Sequence, residues 1–149
     1  MAITSAICNS FKVEILKALH DFTTTSGDDF NLALYTSGAT LNKDTTVYAT
    51  NPGGGADTEV ATATGYTAKG KEIISVTPVL SSDTAVCDFG NVSWTSASFT
   101  ARGCLIFNDD ASDAAVCTID FGGDKTVTSG TFTVEFPSAA AGTAIIGIA

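Results

Sequence analysis

Basic side chains are scarce in this sequence. Seven Lys and Arg residues stand against sixteen Asp and Glu residues, and the formal net charge is −9. The few basic residues are scattered along the chain, so they form no positive stripe for a phosphate backbone. An acidic surface also repels nucleic acid and anionic lipid. We therefore expect no nucleic-acid partner and no membrane partner.

Long apolar runs are also missing. No stretch reaches the roughly 18 apolar residues that span a bilayer, and residues 1–9 lack the cationic start of a secretory signal. These absences predict a protein that is made and kept in a cytoplasm, where thiols stay reduced. We expect buried free thiols at the four cysteines, Cys8, Cys87, Cys104 and Cys117. The alternative is a disulfide that forms after release from the reducing cell.

Groups that perform catalysis are few. The chain has one histidine, His20, and contains no C-x-x-C pair, no Gly-x-Ser-x-Gly turn, no phosphate-binding glycine loop and no zinc-protease motif. We expect no enzymatic activity, no catalytic residue, no cofactor and no metal. His20 is predicted to be a surface or helix-end residue. The alternative to a binding protein is an enzyme whose active site matches no familiar pattern.

The densest group of oxygen-bearing side chains falls in a predicted turn between two strands. It comprises Asn108, Asp109, Asp110 and Asp113. Calcium prefers several such oxygens, but the spacing is not that of a helix-loop-helix calcium site. Aspartates are also common in turns because they hydrogen bond to the local backbone. The turn interpretation is favoured, with a weak calcium site as the alternative.

Thr, Ser, Gly and Ala take the place of the missing charge, a composition that suits strands and tight turns. One helix is predicted first, from Asn9 to Phe22. Its apolar residues recur at helical spacing, namely Phe11, Ile15, Ala18, Leu19 and Phe22. This pattern indicates an amphipathic helix.

From Phe30 onward the pattern changes to alternation, which is typical of strands. Strands are predicted from Phe30, at Thr46 to Thr50, Glu72 to Val79, Thr84 to Phe89, Ser98 to Phe107, Ala114 to Phe121, Thr131 to Phe136 and Thr143 to Ile148. The segment Asn51 to Asp57 contains Pro52 and three consecutive glycines, which predicts a flexible loop. No helical segment separates the later strands, so a parallel sheet is disfavoured.

These patterns predict one β-rich domain over residues 1–149 with a flexible N-terminal arm, residues 1–9. The expected fold is mostly β, an antiparallel β-sandwich or jelly roll preceded by one N-terminal amphipathic helix.

Several short segments, in their order along the chain, resemble small virion proteins of tailed bacteriophages. They include Phe11-Lys12-Val13-Glu14-Ile15-Leu16, Phe30 to Leu34 with Tyr35-Thr36-Ser37, Gly65-Tyr66-Thr67-Ala68-Lys69-Gly70, Val92-Ser93-Trp94-Thr95, Ala101-Arg102-Gly103 with Leu105-Ile106-Phe107, and Ile119-Asp120-Phe121-Gly122. The resemblance implies a structural role in the particle without enzymatic activity. By analogy with decoration or cement proteins of phage heads, it places the chain on the outer capsid surface, in virions assembled in the host cytoplasm.

The resemblance also implies partners. We expect the chain to bind the major capsid protein or other virion proteins, and to form a homo-oligomer. The predicted contact residues lie in the arm and the glycine-rich loop: Ile3, Ile7, Cys8, Asn51, Pro52 and Asp57. Where such virion proteins usually carry Ala or Val, this chain has Cys104, which suggests redox cross-linking. The alternative function is a tail, collar or fibre component that attaches to the host.

Overall fold

Strands dominate the computed structural model, which describes residues 2–56, 58–62 and 65–149. The elements are β1 (Ala6–Ile7), α1 (Asn9–Leu16), β2 (Phe30–Tyr35), β3 (Lys71–Ile73), β4 (Ser75–Ser81), β5 (Thr84–Phe89), β6 (Val92–Asn108), β7 (Ala114–Val134) and β8 (Ile146–Ile148). This composition confirms the mostly β prediction with a short N-terminal helix. Among the described residues, no helix combines the length and apolar character that crossing a membrane requires.

Two antiparallel sheets make up the fold within the described residues. The larger has the order β1-β7-β6-β2-β3, and the smaller has the order β4-β5-β8. All ladders between neighbouring strands are antiparallel. This arrangement is consistent with the predicted sandwich.

The β6–β7 hairpin is the longest feature of the fold. Sequence analysis predicted separate strands at Ala114 to Phe121 and Thr131 to Phe136, but the structure has one strand, Ala114–Val134. The glycines between them do not end the strand, because residues 121–124 bulge out of the ladder between the pairs Gly103↔Asp120 and Ala101↔Lys125. Gly122 adopts a φ of +74°, which suits such a bulge.

Other strand boundaries also differ from the prediction. The predicted strand Glu72 to Val79 is two strands, β3 in the larger sheet and β4 in the smaller. The chain passes from one sheet to the other at Ile74, which is exposed. The predicted strand Thr46 to Thr50 forms only an isolated bridge between Val47 and Ala114. The last strand is shorter than predicted and covers Ile146–Ile148.

The N-terminal segment is part of the folded body. Ile3 and Cys8 are buried, and β1 pairs with β7 through Ile7↔Cys117. A Cβ at Gly103 would overlap the side chain of Ile3. The glycine therefore makes room for Ile3. The prediction of a flexible arm is therefore wrong for residues 2–9. Burial of an apolar side chain such as Ile3 stabilises the folded state, because its surface leaves water.

The helix ends six residues before its predicted end at Phe22. Ala18 adopts a left-handed φ of +56°, and the N–H of Lys17 donates to the carbonyl oxygen of Glu14 instead of continuing the helix. Phe11 faces the core, whereas Leu16 on the same helix is 89% exposed. Phe22 still reaches the core, but from the turn that follows α1.

Candidate protein-binding surfaces

The structure separates the predicted contact residues into buried and accessible ones. Ile3 and Cys8 are buried, Ile7 and Pro52 are partly exposed, Asn51 is exposed, and Asp57 lies outside the described residues. The prediction that Ile3 and Cys8 are contact residues is wrong for this folded chain, because their side chains do not reach its surface.

The N-terminal segment and the glycine-rich loop are neighbours. The N–H of Thr40 donates to the carbonyl oxygen of Pro52 at 2.9 Å, and the N–H of Leu41 donates to that of Ala2 at 3.2 Å. Thr40 therefore holds the glycine-rich loop, and the adjacent Leu41 holds the N-terminal segment. Among the predicted contact residues, Ile7, Asn51 and Pro52 are left with accessible side chains.

A larger apolar surface lies along β7, and we call it the phenylalanine groove. It has a volume of about 530 Å³, and its apolar lining includes Ile119, Phe121, Phe132, Phe136 and Ile145. β1 pairs only with Cys117 and Thr118, so the outer edge of β7 beyond Thr118 has no strand partner among the described residues. Lys125 and Glu135 also line the groove and give it one charge of each sign.

Aromatic packing holds the groove in shape. The ring of Phe132 lies 5.1 Å from that of Phe99 and 6.3 Å from that of Phe121, measured between centroids. Phe99 is buried, whereas Phe121 and Phe132 are only partly covered. The buried ring anchors the partly covered ones, which present apolar surface to solvent in a fixed geometry.

A second apolar surface lies at the end of the smaller sheet, and we call it the small-sheet patch. It is formed by Pro78, Leu80, Ala85 and Ile148. Ala85 pairs with Leu80 on one side and with Ile148 on the other, so these three side chains form a row on one face. Leu80 is 74% exposed and Ile148 is 55% exposed.

A shallow cavity of about 70 Å³ adjoins this patch. Its lining includes Ile15 of α1 and Phe22, together with Cys87 and Ile146 from the smaller sheet. The apolar surface of the small-sheet patch therefore continues into the space between the smaller sheet and α1. The signal in the sequence was a lack of charge, because residues 73–82 and 136–149 contain no charged side chain.

His20 lies inside the fold and not on its surface, contrary to the prediction. Its Nε2 lies 2.9 Å from a carboxylate oxygen of Glu14, and its Nδ1 lies 3.0 Å from Nδ2 of Asn108. The same Nδ2 donates to Asp28 at 2.7 Å. His20 is drawn inward because the chain turns at Ala18. Glu14 and Asn108 each contact one ring nitrogen of His20. These contacts fix the segment after α1 against the end of β6.

The predicted oxygen cluster is occupied by partners within the chain. The ammonium of Lys69 contacts Asp113 at 2.8 Å and Asp109 at 2.9 Å, while Asp110 accepts the N–H of Asp29. These bonds raise the pKa of Lys69, and Lys69 lowers the pKa of Asp109. A cation at this turn would have to displace Lys69. Within the described residues, no group of three or more ligating side chains could hold a metal ion.

All four cysteines are free and buried, as the sequence predicted. Burial raises the pKa of Cys8 to about 11 and that of Cys87 to about 12. Burial also raises the pKa of Cys104 and Cys117. A thiol with a raised pKa is a poor nucleophile near neutral pH. Cys104 is completely buried, so the suggested redox cross-linking has no accessible thiol there in the folded chain.

Sequence reasoning missed both apolar surfaces. The alternation of Phe132, Val134 and Phe136 predicted a face turned to the core, and this is confirmed: Val134 is buried, and Phe132 and Phe136 pack against the core while staying partly exposed. Comparison with known proteins does not decide between these surfaces. No family model, no curated protein and no solved structure matches this chain.

Proposed function

We propose that this chain is a bacteriophage virion structural protein, a capsid decoration or cement protein that binds the outer head surface. The observation that carries the proposal is the phenylalanine groove, an apolar depression beside an unpaired strand edge. A partner that fills this depression would take the partly exposed phenylalanine rings out of water, which favours binding. The resemblance to small virion proteins supplies the class of partner.

The groove offers two kinds of contact to a capsid protein. Its phenylalanines contribute roughly 25 cal/mol for each Å² of apolar surface that leaves water. The free edge of β7 offers backbone groups to an added strand, which fixes the orientation of a bound segment. Many copies on one shell turn modest single contacts into tight attachment.

Binding to phage heads tests the proposal directly. Heads of the encoding phage that lack this protein are mixed with the purified chain, and the bound fraction is measured by sedimentation. We expect Phe136→Ser to weaken binding about tenfold or more, because a partly exposed ring is lost from the contact. Val47→Ser is the control, since Val47 is an exposed apolar residue at the opposite end of β7.

The outcomes separate the proposal from its alternatives. Equal binding by Phe136→Ser and the parent chain, with both folded by circular dichroism, would exclude the groove as the contact. A reconstruction of purified particles gives the location: density on the shell supports decoration, and density on the tail supports the tail, collar or fibre alternative. Copy number by quantitative mass spectrometry is an independent check, because a head protein is present in many more copies than a tail protein.

A further inference from the structure

We infer that the occupant of the phenylalanine groove is an extended segment of the major capsid protein that carries an acidic residue, an apolar centre and a basic residue. This inference rests on the proposed function and names the chemistry of the partner at the same site. The apolar centre fills the groove, Lys125 pairs with the acidic residue, and Glu135 pairs with the basic one.

Strand β7 folds back on itself around the groove. The ring centroids of Phe121 and Phe132 are 6.3 Å apart. A straight strand would separate these two residues by about 36 Å. The pairing of β7 with β6 shifts register at several places, and Gly122 has a φ of +74°. Bulges of this kind bend a strand. The groove is therefore lined by two stretches of one bent strand, residues 119–125 and residues 132–136.

Each of these stretches brings one charge to the groove. Lys125 belongs to the first stretch and Glu135 to the second, and both side chains are exposed. Neither has a salt-bridge partner among the described residues. A partner that brings the matching charges gains two ion pairs, whereas a partner with the wrong sign at either position meets repulsion. The groove therefore favours a partner that carries both signs.

A polypeptide segment meets these requirements together. An apolar molecule with a single carboxylate would pair with Lys125 and would leave Glu135 beside apolar surface without a partner, which costs free energy. The backbone of an extended segment can also pair with the edge of β7, which has no strand partner beyond Thr118 among the described residues. The volume of about 530 Å³ is typical of a cleft for a drug-sized ligand, so the groove holds a few side chains.

Charge reversal in the head-binding assay tests the inference. We expect Lys125→Glu and Glu135→Lys each to weaken binding to heads that lack this protein about fivefold at about 50 mM salt, because attraction is replaced by repulsion. At about 500 mM salt each loss should shrink to about twofold or less, since exposed charges are screened. The matched controls Lys17→Glu and Glu72→Lys make the same changes in net charge on exposed residues outside the groove, and they should bind like the parent chain.

Cross-linking identifies the bound segment. A carbodiimide joins a lysine to a neighbouring carboxylate without a spacer, so Lys125 should link to an acidic residue of the major capsid protein. Peptide mass spectrometry should show apolar residues and a basic residue within about six positions of the link, because an extended chain rises about 3.3 Å per residue. Heads in which the linked acidic residue is changed to Lys should regain binding of Lys125→Glu.

The results separate this inference from the proposed function. Weak binding by Phe136→Ser together with parental binding by Lys125→Glu and Glu135→Lys would overturn the inference and leave the groove as the contact. A link from Lys125 to a second copy of this chain, or a linked capsid segment without a nearby basic residue, would also overturn it. If the parent chain did not bind heads at all, the proposed function would be wrong and the inference with it.

Discussion

The hydroxyl of Tyr66 donates a hydrogen bond to Oε1 of Glu59 at 2.7 Å, in the interior of the fold. The same hydroxyl accepts the N–H of Leu34 in β2. Tyr48 donates to the other carboxylate oxygen, also at 2.7 Å, and the N–H of Lys69 donates to Oε1 at 2.8 Å. Glu59 thus joins Tyr48, Tyr66 and Lys69 within the long segment between β2 and β3, and the hydroxyl of Tyr66 connects that segment to β2.

Removal of the Tyr66 hydroxyl should destabilise the fold. Tyr66→Phe leaves the N–H of Leu34 and one oxygen of Glu59 without this partner, and we expect a loss of about 1–3 kcal/mol in the free energy of unfolding. Tyr48→Phe should cost less, because Tyr48 is partly exposed and water can replace its hydroxyl. Urea unfolding measures both losses, and a larger loss for Tyr48→Phe would contradict this account.

The raised thiol pKa values predict weak stability in alkali. Thiols of the unfolded chain lose their protons near a pH of about 8.5, whereas Cys8 and Cys87 hold theirs to about 11 and about 12 when folded. The unfolded state therefore binds fewer protons between these values. Each such thiol then lowers the free energy of unfolding by about 1.4 kcal/mol per pH unit, up to its folded pKa.

We expect the urea midpoint to fall between a pH of about 8 and a pH of about 10 for this reason. Cys87→Ala removes one of the thiols, so its stability should fall less steeply over the same range. The comparison uses the slope of the free energy of unfolding against pH for each chain. A constant cost of the substitution does not change this slope. Identical slopes would show that Cys87 does not keep its proton in the folded chain.

Asn108 should be sensitive to a change that preserves its shape. Its Nδ2 lies 2.7 Å from a carboxylate oxygen of Asp28 and 3.0 Å from Nδ1 of His20. Asn108→Asp places an oxygen against that carboxylate, and we expect it to cost about 3–5 kcal/mol at neutral pH. Asn108→Ala should cost about 1–3 kcal/mol, because it removes the bonds without adding a charge. Thermal or urea unfolding measures the stability of both variants. If Asn108→Ala were the less stable one, there would be no repulsion between the new carboxylate and Asp28.

Patterns of neighbouring residues predicted much of the fold. β5 was predicted with its observed bounds, Thr84 to Phe89, because alternation and a turn on either side are local signals. The mostly β fold followed in the same way, whereas free cysteines were expected because thiols stay reduced in a cytoplasm. The continuous β7 did not, since the double glycine at residues 122–123 resembles a turn unless the partner strand is known.

Long-range pairing explains the other errors. Ile3 was placed in a mobile arm because nothing near it in sequence reveals the space at Gly103. The alternation at Phe132 correctly indicated a core-facing side, but alternation shows which residues share a side and not how completely that side is covered. The accessible apolar surfaces were missed for this reason, although the charge-free residues 136–149 mark one of them.

Asp88 should make stability depend on pH in the acidic range. It is buried, and the N–H of Phe89 donates to its Oδ1. Burial raises the pKa of this carboxyl. The protonated form therefore favours the folded state below the pKa of the unfolded chain, and that contribution is lost as pH rises through the folded pKa.

The comparison with Asp88→Asn isolates this titration. We expect the variant to gain stability relative to the parent chain as pH rises from about 3 to about 7. Any pH-independent effect of the amide on stability is the same at both pH values and does not change this expectation. Urea unfolding at the two pH values gives the difference in free energy of unfolding between the two chains. A constant difference would mean that the carboxyl titrates alike in the folded and unfolded states.

Ile3 tests whether the N-terminal segment belongs to the core. The residue is buried, bridges to Leu41 and contacts the space above Gly103, so Ile3→Ala should cost about 2–4 kcal/mol. Ile7→Ala should cost less, because Ile7 is only partly buried. The thermal midpoints of both variants measure this difference. If Ile3→Ala left the midpoint unchanged, residues 2–9 would be dispensable for folding and available again as a contact arm.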